Sequence, residues 1–172
     1  MKVGVLMVLS DKQEKSIDLM YARYKNREKI TTIAGFAGTG KSTIIKYFIN
    51  NNDLMPYTRF VTFTGKASLV LQKQGLPATT IHRLIYKTYK NYRTGRFYFQ
   101  LKTELEDDIK LIVIDEISMV SQKLLRDLAS FNIPIIALGD PFQLEPIGED
   151  NGLLKTPHVF LDEVYRQGAE NT

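Results

Sequence analysis

The chain contains no cysteine. Disulfides and thiolate metal sites are therefore excluded, and a reducing, cytoplasmic setting is expected. No apolar run approaches the length of a membrane span, so no membrane partner is expected. There is no internal repeat and no low-complexity tract. The first nine residues are mostly apolar, but Asp11 and Lys12 follow at once, without a small-residue cleavage site. That stretch reads as a strand or an expression remnant rather than a signal peptide. Neither sign of charge dominates. The net charge is +4 and the pI about 9.2, compatible with a nucleic-acid partner without demanding one. What remains is 172 residues, 44% apolar and 24% charged, enough for one soluble domain with a core of its own.

Against that plain background one stretch stands out: Gly35-Phe-Ala-Gly38-Thr39-Gly40-Lys41-Ser42-Thr43. It has the G-x-x-x-x-G-K-S pattern of a phosphate-binding loop. Ile30–Ala34 before it is a β-branched run that reads as a buried strand, and Ile44–Ile49 after it reads as a helix opening at Lys41. Strand, glycine loop and helix are the arrangement this chemistry needs. Glycines let successive N–H groups turn toward one anion, and the helix N-terminus adds positive potential there. Lys41 would neutralise the β- and γ-phosphates of a nucleotide, and the Ser42 hydroxyl would ligate Mg2+. An ordinary glycine turn is the plainer alternative.

Ser10 and Gln13 have capping-box spacing before a helix running to about Lys25, with Ile17, Met20, Tyr21 and Tyr24 on one face. Thr58–Thr64 reads as a second strand, followed by a helix that Gly75 stops. Thr80 is expected to cap a helix with Ile81, Leu84, Ile85 and Tyr89 on one face. An aromatic-basic stretch around a Thr94-Gly95 turn reads as a hairpin at about residues 88–102. Glu104 to Asp108 is an acidic loop. Leu111–Ile114 and Ile133–Leu138 read as further strands, with Val159–Leu161 as a fifth. Between them Ser118 is expected to cap a helix carrying Val120, Leu124, Leu125 and Leu128 inward. Continuous apolar strands alternating with helices predict a parallel sheet covered on both faces. Gly35, Thr64, Asp115 and Asp140 all follow strand ends, the edge at which such sheets bind ligands.

Asp115-Glu116 fits a carboxylate that holds hydrated magnesium beside one that polarises an attacking water. A solvated acidic pair is the alternative. Gly139-Asp140-Pro-Phe-Gln143 offers an uncharged donor, Gln143, and a carboxylate, Asp140, able to order it or the metal water. On spacing alone it reads as a Gly-Asp-Pro turn with a surface glutamine.

Taken together and in order, Gly35–Thr43, Thr64-Gly65-Lys66-Ala67, Asp115-Glu116-Ile-Ser-Met-Val120 and Gly139-Asp-Pro-Phe-Gln-Leu144 resemble the motifs of superfamily 1B DNA helicases, the RecD-like and Dda-like group. The resemblance runs from Gln13 to Gln167. It implies a P-loop NTPase fold of the RecA-like type, ATP and Mg2+ as cofactors, and 5′ to 3′ movement on single-stranded DNA. It implies that Gln13 reads the adenine edge, with the capping box as its alternative role. Asp115 and Glu116 become the metal-binding and catalytic pair, and Gln143 the γ-phosphate sensor. Tyr165-Arg166-Gln167 resembles the motif whose arginine, Arg166, reaches the γ-phosphate. Thr64, Lys66, Thr80 and His82 match DNA-contacting motifs, a plain helix start being the alternative at Thr80.

The aromatic-basic hairpin falls where this group inserts its small 1B subdomain, or pin. Arg96 and Phe97 would then meet DNA at a single-strand/duplex junction, with Lys87, Lys90 and Arg93 beside them for phosphates. An ordinary hairpin with half its aromatics packed inward is the alternative. The resemblance also implies a second, C-terminal RecA-like domain as partner. This sequence stops at Thr172 without it, so a single 1A domain over residues 1–172 is expected. Two rival readings stay open: a nucleotide-gated nucleic-acid-binding module, and a fragment of a superfamily 1 RNA helicase. The T-G-K-A and T-I-H stretches favour DNA. No nuclease constellation is visible.

Overall fold

A computed structural model describes residues 9–106, 108–143 and 151–162. Arg166, with Tyr165 and Gln167, lies outside them, as does the N-terminal stretch before Leu9.

The chain runs α1 (Asp11–Lys25), β1 (Ile30–Gly35), α2 (Lys41–Asn51), β2 (Thr58–Thr62), α3 (Gly65–Lys73), β3 (Ala78–Thr80), α4 (Ile81–Ile85), β4 (Tyr86–Lys90), β5 (Phe97–Leu101), β6 (Leu111–Ile114), α5 (Gln122–Ala129), β7 (Ile135–Gly139) and β8 (Val159–Leu161). Six strands form one parallel sheet in the order β3-β2-β6-β7-β1-β8, and β4 pairs with β5 as a separate antiparallel hairpin. The P-loop NTPase class expected from the sequence is therefore the observed one.

Strand alternation divides the core in two. On β6, Leu111 and Val113 face one cluster with Met20, Ile44, Ile45, Phe48 and Ile49 from α1 and α2. Ile112 and Ile114 face the other, with Ile81, Leu84, Leu124 and Leu128 from α4 and α5. Because both faces are covered, β1, β6 and β7 are almost wholly buried, and this is why β6 and β7 are continuous apolar runs and β1 a β-branched one that includes Thr31 and Thr32. Burying a side chain such as Phe48 or Ile112 contributes about 1.5–3 kcal/mol.

Several local expectations are corrected. The Thr80-capped helix stops at Ile85, and Tyr89 lies on β4 rather than on that helix. A run of β-prone residues from Tyr86 onward takes the chain into the hairpin, which starts two residues earlier than the spacing suggested. Ser121, not Ser118, caps α5, accepting from the Leu124 N–H at 3.3 Å. Residues Ile117–Met119 instead form a 3-10 turn. The sheet also has an edge strand, β3, hidden in a stretch whose only sequence signal was the helix cap. In the acidic loop, Glu106 and Asp108 are taken up by Arg59 at 2.8 and 3.4 Å.

Candidate functional site

β1 ends at Gly35, and the chain turns through Gly38 (φ 79°) and Gly40 (φ 84°) into α2. Positive φ favours glycine at both positions. Gly35 is constrained by space instead. A Cβ there would lie 2.6 Å from Thr39 Oγ1 and 2.7 Å from the Leu161 carbonyl of β8. Thr39 is fully buried, and its hydroxyl donates to the Phe36 carbonyl at 2.8 Å, holding the loop closed on itself. Lys41 reaches back over the loop and donates to the carbonyls of Gly35 and Phe36, the latter at 2.9 Å.

Burial pushes the Lys41 ammonium below its usual range, while Asp140, Glu116 and Asp115 pull it back up. Asp115 is the reciprocal case: burial raises its carboxyl, and Lys41 opposes that. Desolvated charges of opposite sign thus gather at the C-terminal ends of β1, β6 and β7, where an anion and a cation can both be bound. Ser42, at the start of α2, and Asp115 line the same small cavity. One hydroxyl and one carboxylate, all oxygen donors, suit a hard cation completed by phosphate and water oxygens, so the residues fit Mg2+. Among the described residues no cluster of three or more His, Asp or Glu would hold a metal unaided.

Glu116 has φ 65° and ψ 75°, a left-handed conformation. For a residue other than glycine this stores about 1–3 kcal/mol and is concentrated at functional sites. Asp140 is buried; its Oδ1 accepts from the Phe142 N–H at 3.0 Å and its carbonyl from the Gln143 N–H at 3.1 Å. Gln143 itself is exposed. Phe142 stacks on Phe36 of the phosphate loop, ring centroids 5.1 Å apart, and Phe160 of β8 meets Phe36 edge-on at 6.0 Å. No sequence signal pointed to this aromatic contact, because its three members lie on three separate loop and strand ends. Thr43 sits in the first turn of α2. Gln13 is buried, and the capping box is formed: its Oε1 accepts from the Ser10 N–H at 3.1 Å.

The second group of expected residues lies along β2 and β3. Thr64 and Thr80 cap α3 and α4, accepting from the N–H groups of Ala67 and Arg83 at 3.2 Å each. Lys66 and His82 are exposed beside them. The His82 ring touches Phe63 at 6.1 Å and Tyr86 at 5.6 Å, and Tyr86 continues to Phe99 at 6.5 Å. An aromatic row therefore runs from the sheet edge onto the hairpin. Both hairpin faces are open, with Phe97 63% exposed on one and Tyr98 53% on the other. Arg96 is also exposed, and Lys90 lies over the Phe97 ring at 5.7 Å. The hairpin is tied down at its base, where the Tyr86 hydroxyl donates to Asp127 of α5 at 2.5 Å and Lys102 Nζ donates to the Leu84 carbonyl at 2.7 Å.

Fold, glycine loop and acidic edge define a phosphate-loop domain of the RecA-like class found in superfamily 1B helicases. Residues 8–172 match the AAA domain family, and the chain belongs to it. It is 34% identical over 179 residues to an uncharacterized protein of Acanthamoeba polyphaga mimivirus, covering 84% of this chain and 36% of that protein. It is 28% identical over 145 residues to the ATP-dependent DNA helicase dda of Enterobacteria phage T4, covering 81% of this chain and 33% of the helicase. Among solved structures it is similar to Bacteroides Pif1 bound to ssDNA, with a TM-score of 0.62, 23% identity, and coverage of 95% of this chain and 44% of that one. The Dda-like half of the resemblance is thus met directly, and Pif1 stands where a RecD-like protein was expected. The chain spans about a third of the length of the curated relatives just described.

Proposed function

We propose that this chain is the N-terminal motor domain, 1A with a small 1B hairpin, of an ATP-dependent 5′ to 3′ DNA helicase. The observation that carries the reading is the convergence of Lys41, Asp115, Glu116 and Asp140 around one glycine loop at the sheet's C-terminal edge. The loop N–H groups and Lys41 bind the phosphates of ATP. Ser42 and Asp115 would hold Mg2+, which supplies charge neutralisation at the β- and γ-phosphates. Glu116 orients a water and takes its proton as the water oxygen bonds to the γ-phosphorus and the bond to the β,γ-bridging oxygen breaks. Gln143 and Arg166 respond to the γ-phosphate, and Gln13 to the base. Thr64, Lys66, Thr80 and His82 grip single-stranded DNA, and Arg96 and Phe97 meet a junction. The phage relative, an ATP-dependent DNA helicase, supports this reading, as does the Bacteroides Pif1 structure bound to ssDNA.

Two measurements test it. Titration of a fluorescent ATP analogue should give saturable binding that Lys41→Ala weakens roughly 10- to 150-fold, the range for losing a charged hydrogen bond of about 1.5–3 kcal/mol. Strand displacement by the protein that carries this chain should occur on 5′-tailed duplexes only. Unwinding from a 3′ tail would overturn the polarity. ATP turnover without unwinding on either tail would favour the nucleotide-gated binding module.

A further inference from the structure

Glu116 is held from two directions by residues that have no part in the site as described above. Its backbone is left-handed, and the chain passes directly into the 3-10 turn Ile117–Met119, where Ile117 and Ser118 are buried. Within that turn the Ser118 hydroxyl donates to Glu116 Oε1 at 2.5 Å. From the far side, Asn151 Nδ2 donates to the carbonyls of Ile117 at 2.9 Å and Val120 at 2.7 Å, bracketing the turn. Asn151 is itself fixed, its Oδ1 accepting from the Leu153 N–H at 3.1 Å. The next residue, Leu154, meets Ile117 over Gly139, where a Cβ would lie 2.8 Å from a methyl of each. The segment before β8 is therefore packed onto the turn that follows Glu116, joined by side-chain bonds to the carbonyls of Val120 and of Ile117, the latter also accepting from the Val120 N–H at 3.0 Å.

A free glutamate side chain has three rotatable bonds, and a left-handed backbone does not choose among their rotamers. One oxygen of Glu116 is committed to Ser118, and the carboxylate lies near enough to Lys41 of the phosphate loop to act on its charge. We infer that Ser118 and Asn151 are positioning residues: Ser118 fixes the rotamer of the Glu116 carboxylate, and Asn151 fixes the turn that carries Ser118. This rests on Glu116 being the group that orients the attacking water. A carboxylate left to swing would still permit ATP or ADP binding, because Lys41 and the glycine loop are untouched. It would lose interactions made only as the transition state forms.

The test compares the affinity of the chain for Mg–ADP–fluoroaluminate, a mimic of the γ-phosphate in transfer, with its affinity for Mg–ADP. Glu116→Gln should reduce the preference for the mimic. Ser118→Ala should reduce it about tenfold while leaving ADP affinity and melting temperature close to wild type. Ser118→Cys, which keeps the volume and weakens the donor, should do the same should the alanine variant fold poorly. Asn151→Ala should shift the preference in the same direction. In the Glu116→Gln background Ser118→Ala should cost nothing further, because the carboxylate it orients is gone. An equal loss in both backgrounds, or an unchanged preference in Ser118→Ala, would overturn the positioning role alone. A loss in Ser118→Ala with none in Glu116→Gln would instead sink the assignment of Glu116, and the inference with it.

Discussion

Gly35→Ala is the substitution whose effect the structure fixes most tightly. The added methyl would stand 2.6 Å from Thr39 Oγ1 and 2.7 Å from the Leu161 carbonyl, inside the 3.0 Å that real Cβ atoms keep. The second contact is backbone in a paired strand, since Gly35 is in register with Leu161. Neither β8 nor the phosphate loop can retreat without giving up that pairing or the bond between Thr39 and Phe36. Overpacking of this kind costs about 1–3 kcal/mol. Against it stands about 0.4–1 kcal/mol from the stiffer unfolded chain. The net loss is about 1–2 kcal/mol, or roughly 2–8 °C in melting temperature for a domain of this size. Gly65→Ala is the matched control. Nothing lies within 4 Å of its Cβ, and it opens α3, so it should be neutral or stabilise by up to about 1 kcal/mol. Thermal melts of both variants, with ATP-analogue titration, decide the matter. The expectation is a lowered melting point and at least tenfold weaker nucleotide binding for Gly35→Ala. Should Gly35→Ala melt at or above Gly65→Ala and bind the analogue as wild type does, the close approach of β8 to the loop would be refuted.

Two other perturbations follow from the same geometry. Burial raises the Asp115 carboxyl above its ordinary 3.8, so between that pH and its raised native value the folded chain binds more protons than the unfolded one, and stability falls as pH rises through the window. Asp115→Asn should therefore melt higher than wild type at neutral pH while losing Mg2+-dependent nucleotide binding; a variant that melts lower would show the carboxylate to be stabilising. At the hairpin, Tyr86→Phe removes the hydroxyl that ties β4 to Asp127, a bond worth about 1 kcal/mol. Amide hydrogen exchange should quicken over residues 86–101 and stay unchanged in β1, β6 and β7, because the two-stranded hairpin has both faces open and little else to hold it. Unchanged exchange in the hairpin would remove Tyr86 as its anchor.

The sequence by itself determined the class of fold and the position of the phosphate loop. Both rest on local rules: buried parallel strands read as unbroken apolar runs, and left-handed turns at Gly38 and Gly40 admit little but glycine. Capping was legible for the same reason at Ser10 and Thr80, whose partners are three residues away. The rule failed where two serines competed. Ser118 and Ser121 both precede apolar helical spacing, and only the packing of Ile117 and Val120 into the core decides which one caps α5. Edge strand β3 was equally invisible, since its three residues are ordered by pairing with β2 rather than by their own preference. Only the tertiary structure decided that β8, which begins more than a hundred residues after β1 ends, closes on Gly35. It likewise decided that Asn151 reaches back to the turn behind Glu116 and that Phe142 lies on Phe36. Each of these contacts joins segments whose separation along the chain carries no periodicity, and what brings them together is the strand order of the sheet.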